Sequence, residues 1–113
     1  MHLNFNTIQE TLKAQVLHRA SDFNTRSIGK VVACDLMSDV LTEEGDDFLL
    51  VTYLSSEQVA RTADMVNAAG ILLVGGKEAQ PALVKTAEAL GLSLLSTSLS
   101  CFEVCVHLGK ILE

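Results

Sequence analysis

The sequence predicts a three-layer α/β/α domain with a parallel or mostly parallel sheet of about four strands. Strand-like and helix-like segments alternate three times in the second half of the chain, the βαβ rhythm that builds a parallel sheet with helices packed on it. The strand segments are continuous aliphatic runs, as expected when both faces of a sheet are covered, and not the alternating pattern of a half-wet sheet. With 113 residues, 49% hydrophobic and 19% charged, the chain has material for one core and reads as a single domain over residues 1–113.

Taken in order, Thr7 and Glu10 stand at capping-box spacing and predict a short helix from Ile8 to about Ala14. Gln15 to His18 reads as a short strand, and the polar stretch Ser21 to Gly29 as a loop. Val31 to Cys34 is a brief β-like run. One or two helical turns follow from Leu36 to Leu41, capped by Asp35, and then an acidic turn from Glu43 to Asp47. Phe48 to Tyr53 is a strand. Ser55 with Gln58 starts a helix that buries Val59, Ala63 and Val66 and stops at Gly70. Ile71 to Val74 is the next strand, ending at Gly75-Gly76. Pro81 suits the first turn of a helix striped by Leu83, Val84, Ala87 and Leu90 and closed by Gly91. Leu92 to Leu95 is a further strand, and Ser100 with Glu103 caps a last helix to about Ile111. On that helix Glu103, His107 and Lys110 form one narrow polar stripe, while Phe102, Val104, Cys105, Val106, Leu108, Ile111 and Leu112 fill the remaining circumference. A helix lying on its own sheet needs an apolar face of about 100°. The excess predicts a second covering surface, expected to be another copy in a homodimer.

A net charge of −6 argues against nucleic-acid or anionic-membrane partners. The longest apolar stretch, Ala68 to Gly76, is about half of a membrane span. The segment Met1 to Asn6 lacks the pattern of a signal peptide, with His2 expected in a tail, and Cys34, Cys101 and Cys105 are odd in number and widely split. Together these features predict a cytoplasmic protein with reduced thiols.

In open α/β sheets, ligands bind beyond the carboxyl ends of the strands. Those ends present Thr52 and Ser55, then Gly75, Gly76 and Lys77, then Ser96, Thr97 and Ser98. Glycines before a lysine, with hydroxyls near helix starts, suit a phosphate or carboxylate held by backbone N–H groups. A tight turn and helix caps explain the same residues without a ligand. Cys101 and Cys105 share a helix face, but no Cys-x-x-Cys is present and His107 lies about 200° around the helix from Cys105. The thiols therefore read as small hydrophobes, with neither metal nor cofactor. Asp39 is expected to face water, His18 has no telling partner, and no nucleophile–base set assembles. A catalytic role is not expected.

The segments Gly29 to Val40, Ala69 to Gly76 and Leu95 to Val104 resemble, in order, the opening, glycine-pair and closing segments of a DRTGG domain, so the resemblance runs from about Thr7 to Leu112. It implies a fold similar to the N-terminal domain of HPr kinase/phosphorylase. It also implies a regulatory role: such domains occur in some phosphotransacetylases, in pyrophosphatases with CBS domains, and alone, some encoded beside iron-only hydrogenases. The chain departs from the pattern where Tyr53-Leu54-Ser55-Ser56 replaces the Asp-Arg pair and Val74-Gly75-Gly76 replaces Thr-Gly-Gly. The expected function is a non-catalytic regulatory or interaction module that binds a small anionic metabolite or nucleotide and a protein partner. The alternative is an accessory protein of a redox or iron-only hydrogenase system using its cysteines for metal or thiol chemistry.

Overall fold

The computed structural model describes residues 3–45 and 47–113, so expectations for Met1, His2 and Asp46 lie outside the described residues. The chain enters through β1 (Leu3–Asn4) and α1 (Phe5–Leu12). The cap of α1 is Asn4, whose side chain accepts from the Thr7 N–H at 2.9 Å, so the helix starts earlier than the Thr7–Glu10 spacing predicts. Phe5, Ile8 and Leu12 then fall on one buried face. Lys13 closes the helix in the left-handed region at φ 51°.

β2 (Gln15–His18) follows as predicted. The expected loop from Ser21 contains β3 (Ser27–Ile28), which pairs antiparallel with β1 in a small second sheet. β4 (Lys30–Ala33), α2 (Met37–Val40), β5 (Phe48–Thr52), α3 (Gln58–Met65), β6 (Gly70–Leu73), α4 (Pro81–Leu90), β7 (Ser93–Ser96) and α5 (Cys101–Leu112) complete the chain.

The main sheet has five strands, one more than predicted, in the order β2-β7-β6-β5-β4. β4 through β7 are mutually parallel, and β2 runs antiparallel along β7. Alternate strand residues feed two cores. Leu49, Val51, Leu72 and Leu95 pack beneath α1 and α5, through Phe5, Ile8, Leu12, Val104 and Leu108. Phe48, Leu50, Ile71, Leu73 and Leu94 pack beneath α2, α3 and α4, through Met37, Val59, Ala63, Leu83 and Ala87. Both faces are dry, hence the unbroken aliphatic runs.

Three local expectations are corrected. Asp35 does not cap α2, whose N-cap residue is Leu36 and makes no side-chain cap bond. Ser55 does not cap α3, which begins behind Glu57. Gly70 does not stop α3; it opens β6, fully buried, where a Cβ would collide with the Phe5 ring and crowd the Ser93 carbonyl. Close packing of α1 over the sheet therefore requires glycine at this position. The last helix meets its expectation: Ser100 and Glu103 form a complete capping box.

Candidate functional site

A cleft of about 600 Å³ opens beyond the carboxyl ends of β6 and β7. Its position follows from topology. The connection leaving β6 goes to α4 on one face of the sheet, whereas the connection leaving β7 goes to α5 on the other. Neighbouring connections that part to opposite faces leave a crevice between them, the usual ligand site of an open α/β sheet.

Of the residues singled out in the sequence, Gly76, Lys77, Ser96, Thr97 and Ser98 line this cleft. Thr52, Ser55 and Gly75 do not. Thr52 is buried, donating its hydroxyl to Asp35 Oδ1 at 2.7 Å and accepting from the Leu54 N–H at 3.2 Å. The same carboxylate oxygen accepts from the Tyr53 N–H at 2.8 Å, so Asp35 ties the loop after β4 to the loop after β5. Ser55 acts through its carbonyl, which accepts from the Gln80 N–H at 3.0 Å and steers the chain into α4.

The glycine pair is a turn and not a backbone anion nest. Gly75 and Gly76 have φ of 75° and 72°. Their N–H groups donate to the carbonyls of Leu99 at 2.7 Å and Thr97 at 3.0 Å, leaving neither amide for an anion. Thr97 is likewise structural: buried, it donates its hydroxyl to the Leu12 carbonyl at 2.9 Å and so fastens the end of α1 to the cleft floor.

The remaining lining comes from residues that strand-end reasoning did not reach: Lys13, Gln15 and Leu17 from the start of the chain, and Glu78, Ala79 and Val84 around the entry to α4. Lys13 and Gln15 were hidden because β2 reaches β7 by an antiparallel pairing that brings Gln15 opposite Ser96. The accessible signal was Lys13 at the end of α1, two residues before a strand.

Charge sets the chemistry of the cleft. Arg26, Lys30 and Arg61 are engaged in ion pairs with Asp22, Glu43 and Glu57. Lys13 and Lys77 make no ion pair among the described residues, and both face the cleft, against the one carboxylate of Glu78. In a molecule of net charge −6 this is a local reversal of sign. The hydroxyls of Ser96 and Ser98 also make no hydrogen bond to another described residue and line the same cleft. Leu17, Ala79 and Val84 add aliphatic lining.

Tyr53 was missed as well. Its ring lies where a Cβ on Gly75 would stand, and its Oη accepts from the Cys101 N–H at 3.0 Å, linking the glycine turn to the start of α5. The three cysteines are half-buried free thiols and not the buried hydrophobes expected. The Sγ atoms of Cys101 and Cys105 lie 4.0 Å apart. Burial pushes the Cys101 thiol up, and Cys105 and Asp35 add to the shift. Among the described residues no three His, Cys, Asp or Glu side chains converge on a metal position.

The layered sheet, with its cleft at the point where the connections part, defines an α/β/α domain. The chain belongs to the DRTGG domain family, whose model matches residues 7–111. No curated protein matches the sequence. Among solved structures it is similar to the CBS and DRTGG domains of the regulatory region of a Clostridium perfringens pyrophosphatase, complexed with its activator diadenosine tetraphosphate. The TM-score is 0.78 at 12% identity, over 92% of this chain and 45% of that one. The likeness is therefore one of fold, and this chain spans under half the length of that neighbour.

Proposed function

We propose that the protein is a non-catalytic regulatory module, cytoplasmic and homodimeric, that binds a small anionic metabolite of the nucleotide class in the cleft beyond β6 and β7 and relays its occupancy to a protein partner. The observation that carries this reading is that two lysines, Lys13 and Lys77, neither engaged in an ion pair, line one cleft at the point where the connections part. The two ammonium groups with Ser96 and Ser98 suit phosphate oxygens, and the aliphatic lining of Leu17, Ala79 and Val84 suits the apolar part of a nucleotide. The structural neighbour, whose DRTGG domain lies in a regulatory region crystallised with a dinucleotide activator, supports the ligand class. Three free thiols support a reducing compartment.

Calorimetric titration and thermal melting of the full chain with AMP, ATP, diadenosine tetraphosphate and inorganic phosphate test the reading. Nucleotides are expected to raise the melting temperature more than phosphate does. Lys77→Glu is expected to weaken binding at least tenfold while leaving the unliganded melting temperature unchanged, because Lys77 is exposed and unpaired. Absence of any nucleotide shift, or a shift that survives Lys13→Glu with Lys77→Glu, overturns it.

A further inference from the structure

We infer that Cys101 and Cys105 form a two-coordinate site for a soft monovalent cation of the copper(I) class, separate from the nucleotide cleft. The two residues stand one turn apart on α5, and their sulfurs face each other at 4.0 Å. That separation is short enough for a single ion to bond to both sulfurs in place of their S–H···S contact. Each side chain is half-buried, so the site is reached from solvent while one side rests on protein. The Cys101 end is anchored, because its N–H donates to Tyr53 Oη at 3.0 Å and Ser100 caps the helix immediately before it. The helical backbone holds Cys105 in register with it. The pair is thus preorganised by elements that the fold already needs.

The class of ion follows from the donor set. Thiolate sulfur is a soft ligand that selects copper(I), zinc and iron–sulfur clusters over hard cations. Structural zinc and iron–sulfur clusters take about four protein ligands. Among the described residues no group of three or more His, Cys, Asp or Glu offers a third ligand here. Two sulfurs alone satisfy an ion content with two soft donors, which is the preference of monovalent copper. The Asp35 carboxylate, close enough to act on the Cys101 sulfur, adds negative potential without joining the ligand set. On binding, two S–H bonds break, two Cu–S bonds form and two protons leave to solvent. The copper stays monovalent, so no oxidant or reductant is consumed.

The test is anaerobic titration of the full chain with cuprous ion against a chromophoric competing chelator, in wild type and in three variants whose metal-free melting curves are recorded first. Wild type and Cys34→Ser are expected to take up one copper per chain, with an ultraviolet thiolate-to-copper band. Cys101→Ser and Cys105→Ser are each expected to weaken uptake at least a hundredfold. X-ray absorption of the loaded wild type, which requires no variant to fold, is expected to show two sulfur neighbours and no nitrogen. Uptake that persists without Cys101 or Cys105, that requires Cys34, that occurs at one copper per two chains, or that shows three or more ligands overturns the assignment. So does absence of uptake. None of these results depends on whether the cleft binds a nucleotide.

Discussion

Gly75 and Gly76 have nearly the same backbone conformation, yet they carry different burdens. At both, φ is positive and a β-carbon is strained. At Gly75 a side chain would also run into the Tyr53 ring, whereas at Gly76 the nearest atom is 4.0 Å away. Gly76→Ala is therefore expected to cost about 1 kcal/mol, from conformation alone. Gly75→Val should cost about 2–3 kcal/mol and loosen the Tyr53–Cys101 bond. Equal losses in a denaturant series would mean that Tyr53 gives way freely. Lys13 presents a related trade. It is a non-glycine residue at φ 51° whose charge faces the cleft. Lys13→Gly is expected to raise stability by up to about 1 kcal/mol by relieving the left-handed conformation, while weakening nucleotide binding several-fold. Melting and titration of the same sample read both effects. The glycine turn was legible in the sequence because glycine's freedom is a local property. The cost specific to Gly75 was not, since it comes from an aromatic ring supplied by the loop after β5.

Helix α5 is the element whose local signals were most complete. Ser100 Oγ accepts from the Glu103 N–H at 3.2 Å, and Glu103 Oε1 accepts from the Ser100 N–H at 3.0 Å. These bonds hold the exposed Glu103 carboxyl below its ordinary value, the Ser100 backbone contributing most. A carboxyl whose pKa is lower folded than unfolded binds fewer protons in the native state, so its contribution is present above the unfolded pKa, near 4.5, and fades as pH falls through the folded one. Wild type should accordingly lose helix stability in that acid window, and Glu103→Gln should flatten this part of the profile. An unchanged pH dependence of melting between pH 2.5 and 5 would remove Glu103 from the account. The opposite case is α3, which has no side-chain cap bond, so its start could not be read from a Ser/Gln spacing. Its position comes from Val59, Ala60 and Ala63 packing on the sheet. Likewise Asp35, a plausible cap by composition, is drawn instead to Thr52 and Tyr53, partners far along the chain.

At the scale of the whole molecule, the excess apolar surface of α5 is smaller than its sequence suggests. Helix α1 and the sheet bury Val104 and Leu108, and Ile111 and Leu112 pack against the same core. Phe102, 77% exposed, and Val106 remain outside. The proposed pairing of two copies should therefore centre on Phe102. Phe102→Glu is expected to convert a dimer to a monomer in light scattering without lowering the monomer's stability. Leu108→Glu is no test of association, because Leu108 is 1% exposed and a charge there would unfold the domain. A wild-type monomer at micromolar concentration ends the dimer proposal. The parallel sheet was legible because β4 to β7 are laid down in sequence order, each beside the last. The small β1–β3 sheet and the partner of β2 were not, because each depends on a distant pairing that no local periodicity encodes.

The pairing of β2 has a temporal consequence during synthesis. Val16 lies against Leu95, so β2 leaves the ribosome with its neighbour still unmade, and β4 to β7 can assemble first by short-range steps. Lys13 and Gln15 take their places in the cleft only when β7 has formed and Thr97 has captured the Leu12 carbonyl. The cleft is thus completed only after β4 to β7 are made, and a ligand bound there would act as a clasp holding an early segment of the chain against a late one.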